Sequence, residues 1–252
     1  MDIILYNIIA AICCLFLGYI FGSIPTSIAI GKVFFHQDPR DYGSKNAGGT
    51  NSGRLWGKKV GFIVIIIDMI KTIAPIWICW AILTFVPFGS KPLIATITNY
   101  YNGSNKDYII QWPVYWLAPL GTIIGHCWPV FVSFKGGKGA TNLMGIACGT
   151  SWLVGFLPGL SYLLILKAKK YVSLASICEA VIIPICFWIW SILNLTGVVK
   201  GIEWLPTYGL TLNINYVAAI VVTIMGILVI IRHHENIKRL KAGNERKITW
   251  MK

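Results

Sequence analysis

Charged residues are scarce in this sequence, and acidic residues are the scarcest of them. Only 12% of the 252 residues are Asp, Glu, Lys or Arg, whereas soluble domains carry about 25%. With 56% hydrophobic residues and a mean hydropathy of +0.68, the chain fits neither a disordered protein nor a soluble globular domain. Several apolar runs approach the ~20 residues that a helix needs to cross a bilayer. We therefore expect a polytopic membrane protein.

Paired-cysteine motifs and metal-ligand clusters are also missing. The seven cysteines never form Cys-x-x-Cys, and all lie in or beside apolar runs, which is typical of small buried hydrophobic residues. We therefore expect no disulfide framework, no metal and no cofactor. A basic segment is missing ahead of the first apolar run, so we do not expect a cleaved signal peptide.

Six apolar blocks divide the chain. The motif Gly22-Ser23-Ile24-Pro25 predicts that the first block kinks or stops there, and Pro158-Gly159 predicts a turn that makes the fourth block a hairpin of two short or tilted helices. The pattern predicts an all-α single domain, 1–252, with seven crossings, or five if the hairpin only dips into the bilayer. The blocks are 3–31, 60–88, 113–133, 141–166, 172–194 and 215–231.

The basic residues lie almost entirely between alternate blocks. The chain has 22 Lys and Arg against 9 Asp and Glu, a net charge of +13. Eighteen of the basic residues fall in four segments, 32–59, 134–140, 167–170 and the tail from 232, whereas three fall in the other loops. Because basic loops stay in the cytoplasm, we expect these segments and the C-terminus on that side and the N-terminus outside. The orientation in the membrane accounts for the net positive charge of the chain, so no nucleic-acid partner is expected.

The first basic segment has the composition of an anion-binding loop. Between Arg40 and Arg54 it contains four glycines among small hydroxyl and amide side chains. Glycine lets backbone N–H groups approach phosphate oxygens closely, and arginine binds phosphate in a bidentate manner. A solvated loop is the alternative on composition alone. The candidate binding residues here are Arg40, Ser44, Asn46, Thr50, Asn51 and Arg54.

The second basic segment is a glycine-rich turn with two lysines, which opens a helix at Thr141. It lacks the full spacing and the preceding strand of a P-loop, so we do not expect an NTPase. A glycine-rich turn at a helix start still favours anion binding. His126 is interpreted as a packed or interfacial histidine. The candidate residues are Lys135, Gly136, Gly137, Lys138, Gly139 and Thr141.

The third segment follows the last apolar block. Arg232, His233 and Asn236 share one face if the helix continues past that block. A histidine can accept a proton near neutral pH and an asparagine can stabilise an oxyanion, although a helix cap at the interface is at least as good an interpretation.

Charged residues inside the apolar blocks need partners, because an isolated charge in lipid is costly. Asp68 and Lys71 are three residues apart, which predicts a buried ion pair that faces the bundle, and Glu179 is a similar buried charge. Ser173 and Ser176 are candidates either for a helix cap or for a hydrogen bond to substrate.

Together the three segments resemble the bacterial acyl-phosphate:glycerol-3-phosphate acyltransferases, the PlsY family. The matching motifs are Gly22-Ser-Ile-Pro with the loop from Arg40 to Arg54, then Gly125-His through Lys135-Gly-Gly-Lys-Gly-Ala-Thr, then His233-x-Glu-Asn-Ile-x-Arg, and they span nearly the whole chain. Two features depart from the family: Gly48-Gly49, where Ile-Gly or Val-Gly is expected, and extended outer loops at 89–112 and 195–214 that face away from the proposed site.

The resemblance implies transfer of a fatty acyl group from acyl phosphate to the 1-hydroxyl of glycerol 3-phosphate, the first step of phospholipid synthesis, on the cytoplasmic side of a bacterial cell membrane. The partners would be glycerol 3-phosphate, a long-chain acyl phosphate and the bilayer, and we expect a monomer. Ser44, Arg54 and Lys138 would hold phosphate groups, while His233 and Asn236 would surround the reacting groups; Ser44, Arg54, His233 and Asn236 form the catalytic set.

The other candidate residues are consistent with the same resemblance. They are Arg40, Asn46, Thr50, Asn51, Lys135, Gly136, Gly137, Gly139, Thr141, Ser173 and Ser176 in substrate binding, and Glu235, Asp68 and Lys71 in support of the helices. The general base is either His233 or a phosphate oxygen of the substrate. The rival classes are a transporter for a small phosphorylated anion and a non-catalytic lipid-binding scaffold.

Overall fold

The computed structural model describes residues 3–88, 91–92, 113–196 and 214–248. Within these ranges the regular structure is helical apart from one short antiparallel ladder, in which Pro87–Phe88 pairs with Lys91–Pro92. The predicted outer loops at 89–112 and 195–214 lie almost wholly outside the described residues. The helices are α1 (Ile3–Ser23), α2 (Thr26–Phe35), α3 (Gly49–Trp56), α4 (Lys58–Phe85), α5 (Leu117–Cys127), α6 (Ala140–Thr150), α7 (Trp152–Lys169), α8 (Val172–Leu195), α9 (Tyr216–Arg232) and α10 (His234–Lys241).

The two predicted interruptions of apolar blocks have different outcomes. The first block does break at its Gly-Ser-Ile-Pro motif, because α1 ends at Ser23 and α2 begins at Thr26. The fourth block does form two helices, but the predicted turn at Pro158-Gly159 is wrong. The chain turns at Ser151, whose backbone is extended and whose hydroxyl accepts a hydrogen bond from the N–H of Val154. Such a cap satisfies a donor at the start of α7, and Pro158 lies inside that helix.

Length and apolar surface identify a membrane protein. Four helical stretches in the described part of the chain are long and apolar enough to cross a bilayer, and α9 with α10 makes a fifth if the bent pair counts as one span. Large apolar side chains such as Phe16 and Phe62 are each 63% exposed on the outside of the bundle. A soluble monomer rarely exposes such a surface, whereas lipid accommodates it.

Helices α1 and α5 approach each other through glycines. Gly18 and Gly22 of α1 face the backbone of α5, and Gly121 and Gly125 of α5 face the backbone of α1. A Cβ atom at any of these four positions would overlap a carbonyl oxygen of the other helix. Small residues four apart permit this close packing, which is a main source of helix association in membranes.

The four basic segments meet at one end of the bundle. Arg40 donates from its guanidinium to the carbonyl of Lys135 at 3.3 Å, which joins the first segment to the second. Arg54 donates to the carbonyl of Arg246 at 3.4 Å, and the N–H of Ile248 donates to the carbonyl of Lys170 at 2.8 Å. The C-terminal tail therefore folds back over the end of the bundle and closes one side of a cavity.

Candidate active site

A cavity of about 750 Å³ opens at the end of the bundle where the basic segments meet. Its outer part, which we call the mouth, is lined by polar and charged side chains. Its other part, which we call the apolar arm, lies between α4, α6, α7 and α8. The mouth comprises Ser44, Lys45, Asn46, Thr50, Arg54, Lys138, Thr141, Ser173, His233, Asn236, Arg239, Glu245 and Arg246, and the arm Ile65, Met69, Met144, Phe156, Leu160 and Leu163.

The loop of the first segment is built around the side chain of Asn51. This residue is fully buried, donates from its amide to the carbonyls of Pro39 and Tyr42, and accepts a hydrogen bond from the N–H of Ser44 at 3.0 Å. Asn51 thereby fixes the conformation that brings Ser44 to the mouth. Gly43 has a φ of +58°, which favours glycine at this turn.

The glycines of the second segment serve mainly to bring the loop close to α5. The N–H of Gly136 donates to the carbonyl of Cys127 and that of Gly137 to the carbonyl of His126, and neither glycine lines the cavity. Added Cβ atoms would overlap His126 at both positions. Gly139 does line the cavity and, with a φ of +81°, caps the start of α6.

The third segment does not continue as one helix. The chain bends by 55° at His233, between α9 and α10. Arg232 consequently turns away and donates to the carbonyl of Gly137 at 3.1 Å, with its guanidinium 5.3 Å from the centre of the Trp128 ring. The bend leaves His233 and Asn236 as lining residues of the mouth.

Hydrogen bonding determines which nitrogen of His233 carries the proton. Its Nδ1 lies 2.7 Å from the carbonyl oxygen of Val229. A carbonyl only accepts, so Nδ1 donates and Nε2 keeps a free lone pair. His233 is 4% exposed, so this proton acceptor is largely shielded from bulk water.

The carboxylate at the centre of the mouth belongs to Glu245, which is not among the residues predicted from the sequence. One oxygen of Glu245 accepts from Ser173 at 3.0 Å and from Asn236 at 2.8 Å, and the other from Arg239 at 2.7 Å. Burial acts to raise the pKa of Glu245, but these hydrogen bonds outweigh it and hold that pKa below its usual range. The signal in the sequence is that Glu245 is the one acidic residue after Glu235 in a basic tail.

Positive charge predominates in the mouth. Burial first, and then repulsion from Arg239, lowers the pKa of Lys138 to about 8. Burial and repulsion from Arg246 also lower the pKa of Arg54. Lys138 additionally contacts the side-chain oxygen of Asn236. With Glu245 as the carboxylate within this ring of cations, the mouth has an excess of positive charge that favours anions.

An ion pair lies on the inner wall of the cavity. Lys71 Nζ is 2.8 Å from Asp68 Oδ1, as their spacing predicts, and also donates to the carbonyl of Ile24. His126 lies 3.9 Å from the same carboxylate oxygen. Asp68 and His126 line the cavity, whereas Lys71 lies behind them.

The structure thus brings most of the predicted site residues together and leaves a few apart. Arg40 lies outside the cavity and pairs with Asp38 at 2.7 Å while it donates to the second segment. Glu235 is exposed and pairs with Lys238 on its own helix. The other predicted residues that do not line the cavity are Lys71, Lys135, Gly136 and Gly137. The polar and charged lining residues that were not predicted as site residues are Lys45, His126, Tyr162, Glu179, Arg239, Glu245 and Arg246.

The described residues contain no group of three or more His, Cys, Asp or Glu side chains that could hold a metal ion. The cysteines in this part of the chain are free thiols.

Comparison with known proteins covers nearly the full chain. A glycerol-3-phosphate acyltransferase of Mycoplasmopsis agalactiae is 34% identical over 252 residues, which is 99% of this chain and 98% of the relative. The enzyme of the same name from Staphylococcus aureus strain RF122 is 32% identical over 241 residues, which is 94% of this chain and 97% of the relative.

Two solved structures share the fold. Both are crystal structures of PlsY (YgiH), an integral membrane glycerol 3-phosphate acyltransferase. The glycerol 3-phosphate form has a TM-score of 0.68 and 29% identity, covering 95% of this chain and 96% of that one. The lysophosphatidic acid form has a TM-score of 0.65 and 28% identity, covering 95% of each. The family profile described as glycerol-3-phosphate acyltransferase matches residues 12–243, and this chain therefore belongs to that family.

Proposed function

We propose that this protein transfers a fatty acyl group from acyl phosphate to the sn-1 hydroxyl of glycerol 3-phosphate and releases lysophosphatidic acid and inorganic phosphate. The observation that carries the proposal is a single cavity that joins a cationic mouth to an apolar arm. Both substrates carry a phosphate, and one also carries an acyl chain. A site for the pair therefore needs the two environments side by side.

Acyl phosphate is a mixed anhydride, so no covalent enzyme intermediate is required. The sn-1 oxygen attacks the acyl carbon, the bond from that carbon to the phosphate oxygen breaks, and the phosphate leaves with the bonding electrons. The enzyme contributes by positioning the two substrates and by stabilising the developing negative charge. Arg54, Lys138 and Ser44 hold phosphate oxygens at the mouth, where all three line the cavity.

Asn236 is fixed beside the reacting groups. Its side-chain oxygen contacts Lys138 and its amide donates to Glu245, so a second N–H remains for the carbonyl oxygen of the donor. The other residues predicted to bind substrate fall into two groups. Asn46, Thr50, Gly139, Thr141, Ser173 and Ser176 line the cavity and are proposed to contact substrate. Arg40, Asn51, Gly136 and Gly137 are proposed to support the loops, and Lys135 lies outside the cavity.

The proton of the attacking hydroxyl has two candidate acceptors, His233 Nε2 and a phosphate oxygen of the substrate. Replacing His233 with Ala separates them. Turnover near that of the wild type in folded protein would assign the proton to the phosphate. A fall of about 10²-fold or more in kcat would assign it to the histidine, because general-base catalysis contributes about that much.

We also infer the arrangement in the membrane. The meeting of four basic segments at one end supports a cytoplasmic active site in a bacterial cell membrane. The proposal treats 1–252 as a single domain that works as a monomer. The seven crossings would be α1, α4, α5, α6, α7, α8 and α9. A five-span arrangement would lose α6 and α7, because these two helices are joined directly at Ser151 and can form one hairpin that dips into the bilayer. Helix α6 has 11 residues and covers roughly 16 Å, about half of the hydrocarbon thickness.

The function is tested by supplying purified protein with labelled glycerol 3-phosphate and either palmitoyl phosphate or palmitoyl thioester. We expect labelled monoacyl ester from the acyl phosphate alone. Product from the thioester alone would overturn the proposed donor. Uptake of label into liposomes without any ester would overturn the enzyme and favour a transporter.

A further inference from the structure

The apolar arm contains one acidic side chain for which the proposed reaction has no use. Glu179 of α8 lines the cavity, and it is 4% exposed. Among the described residues it has neither a hydrogen-bond partner nor an ion-pair partner. Asp68, on the other side of the cavity, is by contrast paired with Lys71.

Glu179 lies well below the mouth. It follows Ser173 by six residues on the same helix, and Ser173 is bonded to Glu245 at the mouth. At 1.5 Å per residue the two side chains are separated by about 9 Å along the helix axis. Ser176 lines the cavity between them, next to the hydroxyl of Tyr162. A line of polar groups therefore descends from the mouth into the arm.

An unpartnered carboxyl group in apolar surroundings is unfavourable, and membrane proteins place such groups where they meet a partner. Within the arm, the partner has to come from whatever occupies the cavity. Either form of a carboxyl group accepts a hydrogen bond from a hydroxyl, and the acid form also donates one. A plain hydrocarbon chain offers Glu179 neither interaction.

We propose that Glu179 is a specificity-determining residue, which favours acyl donors with a hydroxyl group near the middle of the chain. This proposal rests on the proposed function, because it requires the acyl chain to lie in the arm. An extended chain advances about 1.2 Å per bond, as in an extended polypeptide. A separation of about 9 Å from the mouth therefore places Glu179 beside roughly the seventh or eighth carbon of the chain.

The first test needs only the wild-type protein. Hexadecanoyl phosphate competes in turn with three analogues that carry a hydroxyl on the third, eighth or fifteenth carbon. We expect kcat/KM relative to the plain donor to peak for the mid-chain hydroxyl, with an advantage of about tenfold over the other two, which corresponds to one good hydrogen bond. Equal ratios for the three analogues would overturn the proposal.

Variants of Glu179 provide the second test. Glu179→Met keeps the side-chain length and removes the polar group, so the mid-chain preference should fall to that of the other analogues. Glu179→Gln keeps a donor and an acceptor and should retain the preference. Val181→Met is the matched control, because Val181 of the same helix is 48% exposed outside the bundle. A preference that survives Glu179→Met would overturn the proposal.

The two proposals fail in different ways. If wild-type protein forms no ester from any of the donors, the proposed function itself is wrong. If the wild type acylates glycerol 3-phosphate from all four donors with the same efficiency, the function stands and the role of Glu179 is wrong.

Discussion

The mouth of the cavity and the seam between α1 and α5 are held together by different forces. In the mouth, Ser173, Asn236 and Arg239 all donate to the carboxylate of Glu245. In the seam, Gly22 and Gly121 face the backbone of the partner helix with no room for a further atom. The mouth therefore depends on which polar side chains are present, whereas the seam depends on the absence of side chains at its glycines. Substitutions in the two regions should consequently affect different measurements.

The largest effect is expected from removal of a cation at the mouth. Lys138→Ala should reduce kcat/KM for glycerol 3-phosphate by about 10²- to 10³-fold, as does the loss of one preorganised group that stabilises developing charge. The measurement is phosphate release at a series of glycerol 3-phosphate concentrations.

Lys135→Ala is the matched control, because Lys135 belongs to the same loop but is exposed and outside the cavity. It should keep kcat/KM within about threefold of the wild type, as expected for an exposed charge. Equal losses in the two variants would show that the overall charge of the loop matters, rather than one lysine in the cavity.

A substitution in the seam should change the stability of the protein. Gly121→Ala places a Cβ against the carbonyl of Leu15, so α1 and α5 must move apart. We expect the free energy of unfolding to fall by about 1–3 kcal/mol, the usual effect of overpacking, seen as a lower thermal midpoint in detergent. Gly159→Ala is the control, since a Cβ there meets nothing within 4 Å. A midpoint for Gly121→Ala that equals the wild type would contradict the close packing.

A smaller effect on activity is expected from substitution of Glu245, at the centre of the mouth. Glu245→Gln keeps the shape of the side chain but leaves one acceptor oxygen, which cannot serve both Arg239 and the pair Ser173 and Asn236. Asn236 should therefore lose its fixed orientation. We expect about a tenfold fall in kcat, since hydrogen bonds to charged groups contribute about 1.5–3 kcal/mol each.

Glu235→Gln tests the alternative acidic residue, which sequence reasoning selected as a supporting group. Because Glu235 is exposed, kcat of the Glu235→Gln variant should fall by less than about twofold. A larger loss for Glu235→Gln than for Glu245→Gln would reverse the assignment of the two carboxylates.

The smallest expected effect is the pH dependence of kcat/KM for glycerol 3-phosphate. Because the pKa of Lys138 is about 8, its ammonium group is present below that pH and is lost as the pH rises through it. The loss of a required cation should lower kcat/KM for glycerol 3-phosphate by about fivefold between pH 8 and pH 9, because kcat/KM reports the free enzyme. Lys138→Arg should remove this step, since arginine keeps its charge. A step that persists in Lys138→Arg would assign it to another group.

The mouth is easier to predict from the sequence than the seam. Serine, arginine, lysine and histidine are conspicuous between apolar blocks, so Ser44, Arg54, Lys138 and His233 were all predicted from the sequence, and all line the cavity. The four-residue spacing of Gly18 with Gly22 and of Gly121 with Gly125 was present in the sequence as well. It becomes informative only when the two helices are known to be neighbours.

The remaining differences have physical causes. The turn near Ser151 was predicted seven residues too late, because proline is tolerated inside a membrane helix whose neighbours satisfy the freed backbone groups. Glu245 was missed because its importance arises when the tail folds back onto α8 and α10, a contact between distant parts of the chain. Local spacing does not reveal such a contact.

The most direct test of the central claim is phosphate release from palmitoyl phosphate by purified protein, with and without glycerol 3-phosphate. We expect release only when glycerol 3-phosphate is present, with one monoacyl ester formed for each phosphate. Release at the same rate without glycerol 3-phosphate, or no release from folded protein, would contradict an acyl transfer between two phosphorylated substrates in this cavity.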